Sequence, residues 1–279
     1  MTIRPYRSAL FMPASNGRAV EKARSLDCDV VILDLEDSVA PELKATARDQ
    51  AIAAAAAGGF GDRALFVRVN ALDTPWGADD CRAVAGAGFG AVVLPKVSRP
   101  GDLQAASALL DGLPLWAMIE TCAGILDLPA IVASAEVTRL QGLLAGTNDL
   151  AKEMRCIPGP DRTPLLGHLA MIVTAARAAG LVALDGVCNV IEDGAVLAAE
   201  CAQGAMFGFD GKSLIHPAQI AAANRAYGPT PEAVAWADRI IAAFGLPENA
   251  GKGVIRVAGE MVELLHLEQA QRIAAMAAR

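Results

Sequence analysis

The sequence predicts a (β/α)8 barrel, the TIM-barrel class of α/β fold, followed by a C-terminal extension made of helices and a hairpin. Eight short apolar segments with strand character recur along the chain, and the segments between them are rich in Ala and Leu. Strands that alternate with helices form βαβ units and a parallel sheet, and eight such strands favour a closed barrel. The length of 279 residues is sufficient, because barrels of this class reach about 250 residues as one domain.

The predicted strands are apolar almost throughout, as in VVILDLE and AVVLPKV. Continuous apolar segments are typical of parallel strands that are buried on both faces. The predicted strands are 8–14, 30–36, 64–70, 91–97, 114–120, 140–147, 181–187 and 204–210. The predicted helices between them are 17–26, 44–57, 78–87, 102–110, 126–135, 165–179 and 191–201.

The alternative fold is a doubly wound sheet, which would place a glycine-rich turn after the first strand. That strand instead continues into Met12-Pro13-Ala14-Ser15-Asn16-Gly17, so the barrel is favoured. We expect residues 1–225 to form the barrel. After a helix at 218–227, residues 226–279 are expected to form an extension that packs on the rim or on a neighbouring subunit. It is expected to contain helices at 231–244 and 264–278 and a hairpin at 253–262.

The composition excludes several classes of protein. The chain is 54% hydrophobic and 20% charged, which argues against disorder, and its net charge of −7 comes without a dense basic cluster that would bind nucleic acid. No apolar segment approaches the roughly 20 residues of a membrane helix, and residues 1–19 lack the apolar core of a signal peptide. Six cysteines without a C-x-x-C pair predict free thiols in a reducing cytoplasm, with Cys122 as the best candidate for the less favoured role of nucleophile.

Polar groups end nearly every predicted strand, which is where barrel enzymes carry their chemistry. Glu120 and Asp149 end neighbouring strands and could place two oxygens on one Mg²⁺. Zinc is disfavoured because no His or Cys lies at these strand ends. The alternative is that Glu120 and Asp149 form salt bridges with Arg68 or Lys96, and it stays open at this point.

Arg68 lies at the end of a predicted strand. Its planar guanidinium can donate two parallel hydrogen bonds to the carboxylate of an α-keto acid held beside a metal. A structural ion pair with Glu36 or Asp37 is the alternative. Asp34 and Glu36 share one face of the second strand, because side chains alternate along a strand.

Seven motifs, in order from Arg7 to about Gln219, resemble the citrate lyase β-subunit-like (CitE-like) branch of the HpcH/HpaI aldolase family. They are RSALFMPA, VVILDLEDSVAPELK, VRVN, LPKV, MIET, GTNDL and GFDGKSLIHPAQI. The resemblance implies a barrel that forms a homotrimer or hexamer, and Mg²⁺ or Mn²⁺ held by Glu120 and Asp149. It also implies that Arg68 binds the acid substrate.

The resemblance further implies that the substrate is a β-hydroxyacyl thioester, such as a malyl, citramalyl or citryl thioester, carried on coenzyme A or an acyl-carrier protein. Arg7 and Lys212 resemble family positions that contact the phosphates or pantetheine of the carrier. Ser8, Pro95 and Lys96 are expected to line the same channel.

The C-terminal segment departs from the family pattern. Many lyases of this family place an acidic residue after a hairpin so that it enters the site of a neighbouring subunit, and Glu263 takes that position here with one more methylene than the usual Asp. The resemblance therefore makes Glu263 a candidate catalytic residue.

Four activities fit these features. The first is a Mg²⁺-dependent carbon–carbon lyase that releases an α-keto acid and an acyl thioester. The second is a thioesterase that uses the same metal site. The third is a citrate lyase β subunit that works only in a complex with an acyl-carrier protein. The fourth is an aldolase acting on free keto acids, which would need a His base that no strand end supplies.

Overall fold

Eight parallel strands close into a barrel in the order of the sequence, which confirms the predicted fold class. The structure is a computed structural model and describes residues 5–277. The strands are β1 (Ser8–Pro13), β2 (Val30–Asp34), β3 (Ala64–Arg68), β4 (Ala91–Leu94), β5 (Leu115–Ile119), β6 (Leu140–Ala145), β7 (Val182–Asp185) and β8 (Gly211–Leu214).

Helices follow the strands and cover the outside of the barrel. They are α1 (Gly17–Ala23), α2 (Lys44–Ala57), α3 (Gly77–Val84), α4 (Pro100–Ser107), α5 (Cys122–Leu126), α6 (Leu128–Ala133), α7 (Ala135–Thr138), α8 (Thr147–Met154), α9 (Leu166–Ala178), α10 (Gly194–Phe207) and α11 (Ile220–Tyr227). The strands β2, β3, β4 and β5 are buried at every residue, because the helices cover one face and the barrel interior the other.

The barrel interior is packed around Trp116, which is fully buried. Its ring lies 5.1 Å from that of Tyr6 and 5.2 Å from that of Phe66. Gly142 on β6 faces the indole so closely that a Cβ there would lie 2.5 Å from the ring. The glycine therefore makes room for the largest side chain of the core.

The prediction of the eighth strand at 204–210 is wrong. Residues 204–207 are the last turn of α10, and the strand is β8, which begins at Gly211. The Ala-rich segment before residue 204 continues as helix until Gly208, whose φ of 93° ends it in the left-handed conformation that glycine adopts without strain.

The chain from Tyr227 onward belongs to a second compact unit. It contains α12 (Pro231–Phe244), a two-stranded antiparallel hairpin of β9 (Val254–Val257) and β10 (Glu260–Glu263), and α13 (Leu264–Ala277). Residues from both helices and both strands bury a small apolar core of its own: Ala237, Ile240, Ile255, Val262 and Ala270. The predicted helical and hairpin extension is confirmed.

The six cysteines are free thiols. Over residues 5–277, no helix combines the length and the apolar character that crossing a membrane requires.

Candidate active site

A cavity of about 310 Å³ opens at the carboxyl ends of the barrel strands. Its wall combines carboxylates, an arginine and small polar groups with a few apolar side chains. The residues around it include Phe11, Asp34, Asp37, Ser38, Arg68, Met118, Glu120, Thr147, Asn148, Asp149 and Ser213. In barrels of this class the carboxyl ends of the strands carry the active site, so this cavity is the candidate site.

Glu120 directly follows β5 and is almost fully buried. Its Oε1 accepts a hydrogen bond of 2.7 Å from the backbone N–H of Lys96. Burial, helped by the negative charge of Glu36, raises the pKa of Glu120 to about 7. Gly146, at the end of β6, leaves space for this side chain, since a Cβ at residue 146 would lie 2.4 Å from Glu120 Oε2.

Asp149 lies in the first turn of α8, where a carboxylate is favoured by the helix dipole. Its Oδ2 lies 3.2 Å from the ammonium of Lys96, and its side chain is 31% exposed. Lys96 thus contacts Glu120 through its backbone and Asp149 through its side chain. The structure therefore brings the two predicted metal ligands to the same edge of the cavity.

The donor set fits a hard divalent cation. Around Glu120 and Asp149, the acidic side chains of Asp34, Glu36 and Asp37 bring the number of carboxylates to five, against the three cationic groups of Lys44, Arg68 and Lys96. Two negative charges therefore remain when all these groups are ionised. Carboxylate oxygens with free space for water and substrate oxygens are the usual surroundings of Mg²⁺.

Arg68 is the last residue of β3 and forms ion pairs with acidic residues of β2 and of the loop that follows β2. Its Nε and Nη2 bond the two oxygens of Asp34 at 2.6 and 2.8 Å, while Nη1 lies 2.9 Å from Glu36 and 3.3 Å from Asp37. The ring of Phe11 lies under the guanidinium at 4.8 Å. The predicted alternative, an ion pair with Glu36 or Asp37, is present, but the bidentate partner is Asp34.

The pKa values of this pair follow from burial and mutual charge. Burial disfavours the charged forms of both groups, but the Arg68 guanidinium holds the pKa of Asp34 below its usual range, and Asp34 raises that of Arg68. Asp34 also accepts hydrogen bonds from the backbone of Glu36 and from Ser38. Arg68 is therefore fixed through one edge, and its Nη1 faces the loop and the cavity.

Lys44 is a residue that the sequence reasoning missed. It is buried in the first turn of α2, where the helix dipole disfavours a cation, and its ammonium donates to the carbonyls of Leu35 and Glu36 at 2.9 and 2.7 Å. Burial lowers its pKa. A lysine at the start of an apolar helix was the available signal, because such a residue breaks a local rule and so indicates a specific partner.

The residues predicted to contact a thioester carrier do not lie together. Pro95 and Lys96 line a second cavity of about 400 Å³ on the same strand-end face. Arg7 and Ser8 lie at the amino end of β1, at the other end of the barrel, where Arg7 pairs with Asp29 at 2.8 Å. Contact of Arg7 and Ser8 with a carrier stays a prediction.

Lys212 lies away from the cavity, in the layer between the barrel and α10. Lys212 is fully buried, and its ammonium pairs with Asp185 at 2.9 Å and with Glu200 of α10 at 3.0 Å. Ser213, the next residue of β8, lines the cavity, so alternation along the strand turns Lys212 toward the helix layer. It therefore links α10 to the barrel, and its predicted contact with a carrier stays a prediction.

Glu263 belongs to the C-terminal unit. It ends β10, and its backbone N–H donates to Nδ1 of His266 at 3.0 Å. Its entry into the site of a neighbouring subunit stays a prediction.

The fold and the cavity define a (β/α)8-barrel protein with an acidic strand-end site that suits a divalent cation. The chain belongs to the HpcH/HpaI aldolase/citrate lyase family, whose model matches residues 7–217.

Its relatives in this family include enzymes of different activity. A (3S)-malyl-CoA thioesterase from Cereibacter sphaeroides strain KD131 is 46% identical over 98% of this chain and 95% of the relative. The citrate lyase β subunit of Escherichia coli K12 is 35% identical over 93% of this chain and 89% of its own length. An L-malyl-CoA/β-methylmalyl-CoA lyase from Cereibacter sphaeroides is 34% identical over 97% and 94% of the two chains.

A solved relative binds both ligand types that the resemblance implies. The crystal structure of CitE from Mycobacterium tuberculosis in complex with magnesium, acetoacetate and coenzyme A is 30% identical, with a TM-score of 0.79 over 99% of this chain and 100% of that one. Homologues of this chain therefore bind Mg²⁺ and coenzyme A.

Proposed function

We propose that this protein is a Mg²⁺-dependent thioesterase that hydrolyses a β-hydroxyacyl-CoA of the malyl-CoA type. The observation that carries the choice is the 46% identity to a (3S)-malyl-CoA thioesterase over nearly the whole of both chains, against 35% and 34% to a citrate lyase subunit and a malyl-CoA lyase. The lyase expected first from the sequence is kept as the second candidate, because the same acidic cavity and arginine would serve it.

Glu120 and Asp149 are the proposed metal ligands. Both are carboxylates at the edge of one cavity. The five carboxylates and three cationic side chains described above carry a net charge of −2 when all are ionised. When bound there, Mg²⁺ supplies a Lewis acid for an oxygen of the substrate. Glu120 would hold the cation in a fixed position, because its side chain is buried and accepts a hydrogen bond from the backbone of Lys96.

Arg68 is the proposed anchor for the free carboxylate of the substrate. Asp34 occupies its Nε and Nη2, and Nη1 also pairs with the buried Glu36 at 2.9 Å. The exchangeable contact of Nη1 is the one with Asp37, which is long at 3.3 Å and involves a side chain that is 63% exposed. A carboxylate that binds Arg68 would displace Asp37 at little cost, since exposed ion pairs contribute about 1 kcal/mol or less.

The proposed reaction is hydrolysis of the thioester bond of the substrate. Water adds to the thioester carbonyl carbon, a C–O bond forms, the C–S bond breaks, and the sulfur of coenzyme A leaves as a thiol after taking a proton. The cavity lined by Pro95 and Lys96 lies on the same face and is the proposed channel for the pantetheine arm.

Other features remain proposals of the same kind. A homotrimer or hexamer, a contribution of Glu263 to a neighbouring site, an acyl-carrier protein as the alternative carrier, and a cytoplasmic location follow from the family resemblance and the cysteine pattern. Analytical ultracentrifugation of the full chain tests the first, and a Glu263→Gln variant tests the second.

The test of the metal and substrate assignments is thiol release from malyl-CoA with and without Mg²⁺. We expect Glu120→Gln and Asp149→Asn to lose metal-dependent turnover while keeping the wild-type circular dichroism spectrum. Asp79→Asn, an exposed acid on α3, is the control and should keep full activity. Full activity in Glu120→Gln or Asp149→Asn would contradict the metal assignment.

Arg68→Ala separates carboxylate binding from carrier binding. We expect a large rise in KM for malyl-CoA and a small change in the affinity for free coenzyme A. Equal losses in the two measurements would show that Arg68 is structural.

A further inference from the structure

We infer that the Lys96 ammonium competes with the divalent cation for Asp149 and must leave this carboxylate when the metal binds. The inference rests on the proposed metal site and deepens it, because it names a residue that sets the affinity of that site. It makes Lys96 a positioning residue for the carboxylates and not a ligand of the metal.

Lys96 contacts three acidic side chains at once. Its backbone N–H donates to Glu120 Oε1 at 2.7 Å, and its Nζ lies 2.9 Å from Glu36 Oε1 and 3.2 Å from Asp149 Oδ2. A lysine ammonium is positively charged at neutral pH, so Lys96 places a cation beside these carboxylates, inside the proposed metal site.

The backbone at Lys96 is in the left-handed region, with φ of 55°. Glycine adopts this conformation without strain, whereas a residue with a Cβ does so at a cost that persists where a function needs it. The backbone conformation explains how the N–H reaches Glu120. It does not require a lysine, so the ammonium needs a separate explanation.

Charge repulsion supplies that explanation. Mg²⁺ binds carboxylate oxygens at about 2.1 Å. A cation on Asp149 Oδ2 would then lie within about 5 Å of the ammonium where it now lies, because Nζ is 3.2 Å from the same oxygen. A single and a double positive charge at that separation repel strongly in a partly buried site.

The Lys96 side chain has space to move away from Asp149 when a metal binds. Its side chain is 41% exposed, it keeps a second carboxylate partner in Glu36, and it lines the neighbouring cavity together with Ser98 and Arg99. Glu36 is itself held by Arg68, so the exchange shifts the ammonium and leaves the anchored carboxylates in place. The chain thus holds Asp149 by a cation that a metal can displace.

The decisive variant is Lys96→Gly, which removes the ammonium, keeps the N–H that binds Glu120 and suits the positive φ. Binding of Mn²⁺ and of Mg²⁺ to the chelator-treated protein is measured by isothermal titration calorimetry. We expect the variant to bind each metal more tightly, on the order of tenfold, because a competing charge is gone. Lys96→Arg keeps a charge and should not tighten binding.

Controls separate the inference from the proposal beneath it. Arg82→Ala removes an exposed cation of α3 that pairs with Asp79 and should leave the metal affinity unchanged. Glu120→Gln and Asp149→Asn should weaken it; if neither does, the proposed metal site and the inference both fail. If they do weaken it and Lys96→Gly binds metal as wild type does, or less tightly, the inference alone is overturned. Lys96→Asn, which also tolerates a positive φ, provides the same measurement if the glycine variant does not fold.

Discussion

Gly146→Ala would place a methyl group against Glu120, the proposed metal ligand. A Cβ at residue 146 would lie 2.3 Å from Glu120 Cβ and 2.4 Å from Glu120 Oε2. Unbonded carbon atoms pack at about 3.5–4 Å, so the two groups must separate by more than about 1 Å. The contact includes Glu120 Cβ, so a rotation of the side chain does not relieve it and the backbone has to move.

Overpacking of this kind costs about 1–3 kcal/mol, and a value of about 2 kcal/mol lowers the Tm of a protein of this size by about 4–8 °C. Displacement of Glu120 should also reduce Mn²⁺ affinity by at least about tenfold, because the proposed ligand is the group that moves. Differential scanning calorimetry and a Mn²⁺ titration measure the two effects.

Gly167→Ala is the matched control for this prediction. Gly167 lies in α9, and no neighbouring atom of residues 5–277 lies within 4 Å of the point that a Cβ would occupy. Alanine there should raise stability by about 0.5–1 kcal/mol through its helix propensity. A Gly146→Ala protein with the Tm and the metal affinity of wild type would refute the close packing of residue 146 against Glu120.

Three further predictions concern buried charges. Asp34→Asn should destabilise the protein by about 3 kcal/mol in urea unfolding, because it leaves the Arg68 guanidinium buried without its bidentate partner. Burial raises the pKa of Asp185, but Lys212 and Arg162 outweigh it, so this pKa is lowered in the folded protein. The ionised carboxylate should therefore stabilise the fold fully above the unfolded pKa of about 3.9, and this stabilisation should be lost as the pH falls through the folded pKa. Asp185→Asn should abolish this acid dependence of the free energy of unfolding. Lys44→Met should cost about 2 kcal/mol and raise KM for malyl-CoA, since two hydrogen bonds that hold the loop of Glu36 are removed, and an unchanged KM would contradict that positioning role.

The fold was predictable because its signal is repeated along the chain. Most of the buried parallel strands are short apolar segments with a polar residue at or shortly after their carboxyl end. This pattern located seven of the eight strands, and most of their ends, to within about two residues. The eighth failed because an Ala-rich helix end and an apolar strand look alike over a few residues. Only the left-handed Gly208 and the pairing of β8 with β1 place the boundary.

The candidate site was predictable to the level of strand ends and no further. The positions of Glu120, Asp149 and Arg68 follow from the order of strands around a barrel. The choice of Asp34 as the bidentate partner of Arg68 does not, because it depends on side-chain reach across two strands. The burial of Lys212 behind Ser213 likewise depends on strand register, which a slip of one residue reverses.

Product analysis after incubation with malyl-CoA and Mg²⁺ tests the proposed hydrolase activity most directly. Chromatography with mass detection distinguishes cleavage of the C–S bond from cleavage of a C–C bond. We predict one malate for each free coenzyme A, with no product in the presence of a chelator. Glyoxylate and acetyl-CoA as the products would contradict the thioesterase and establish the lyase in its place.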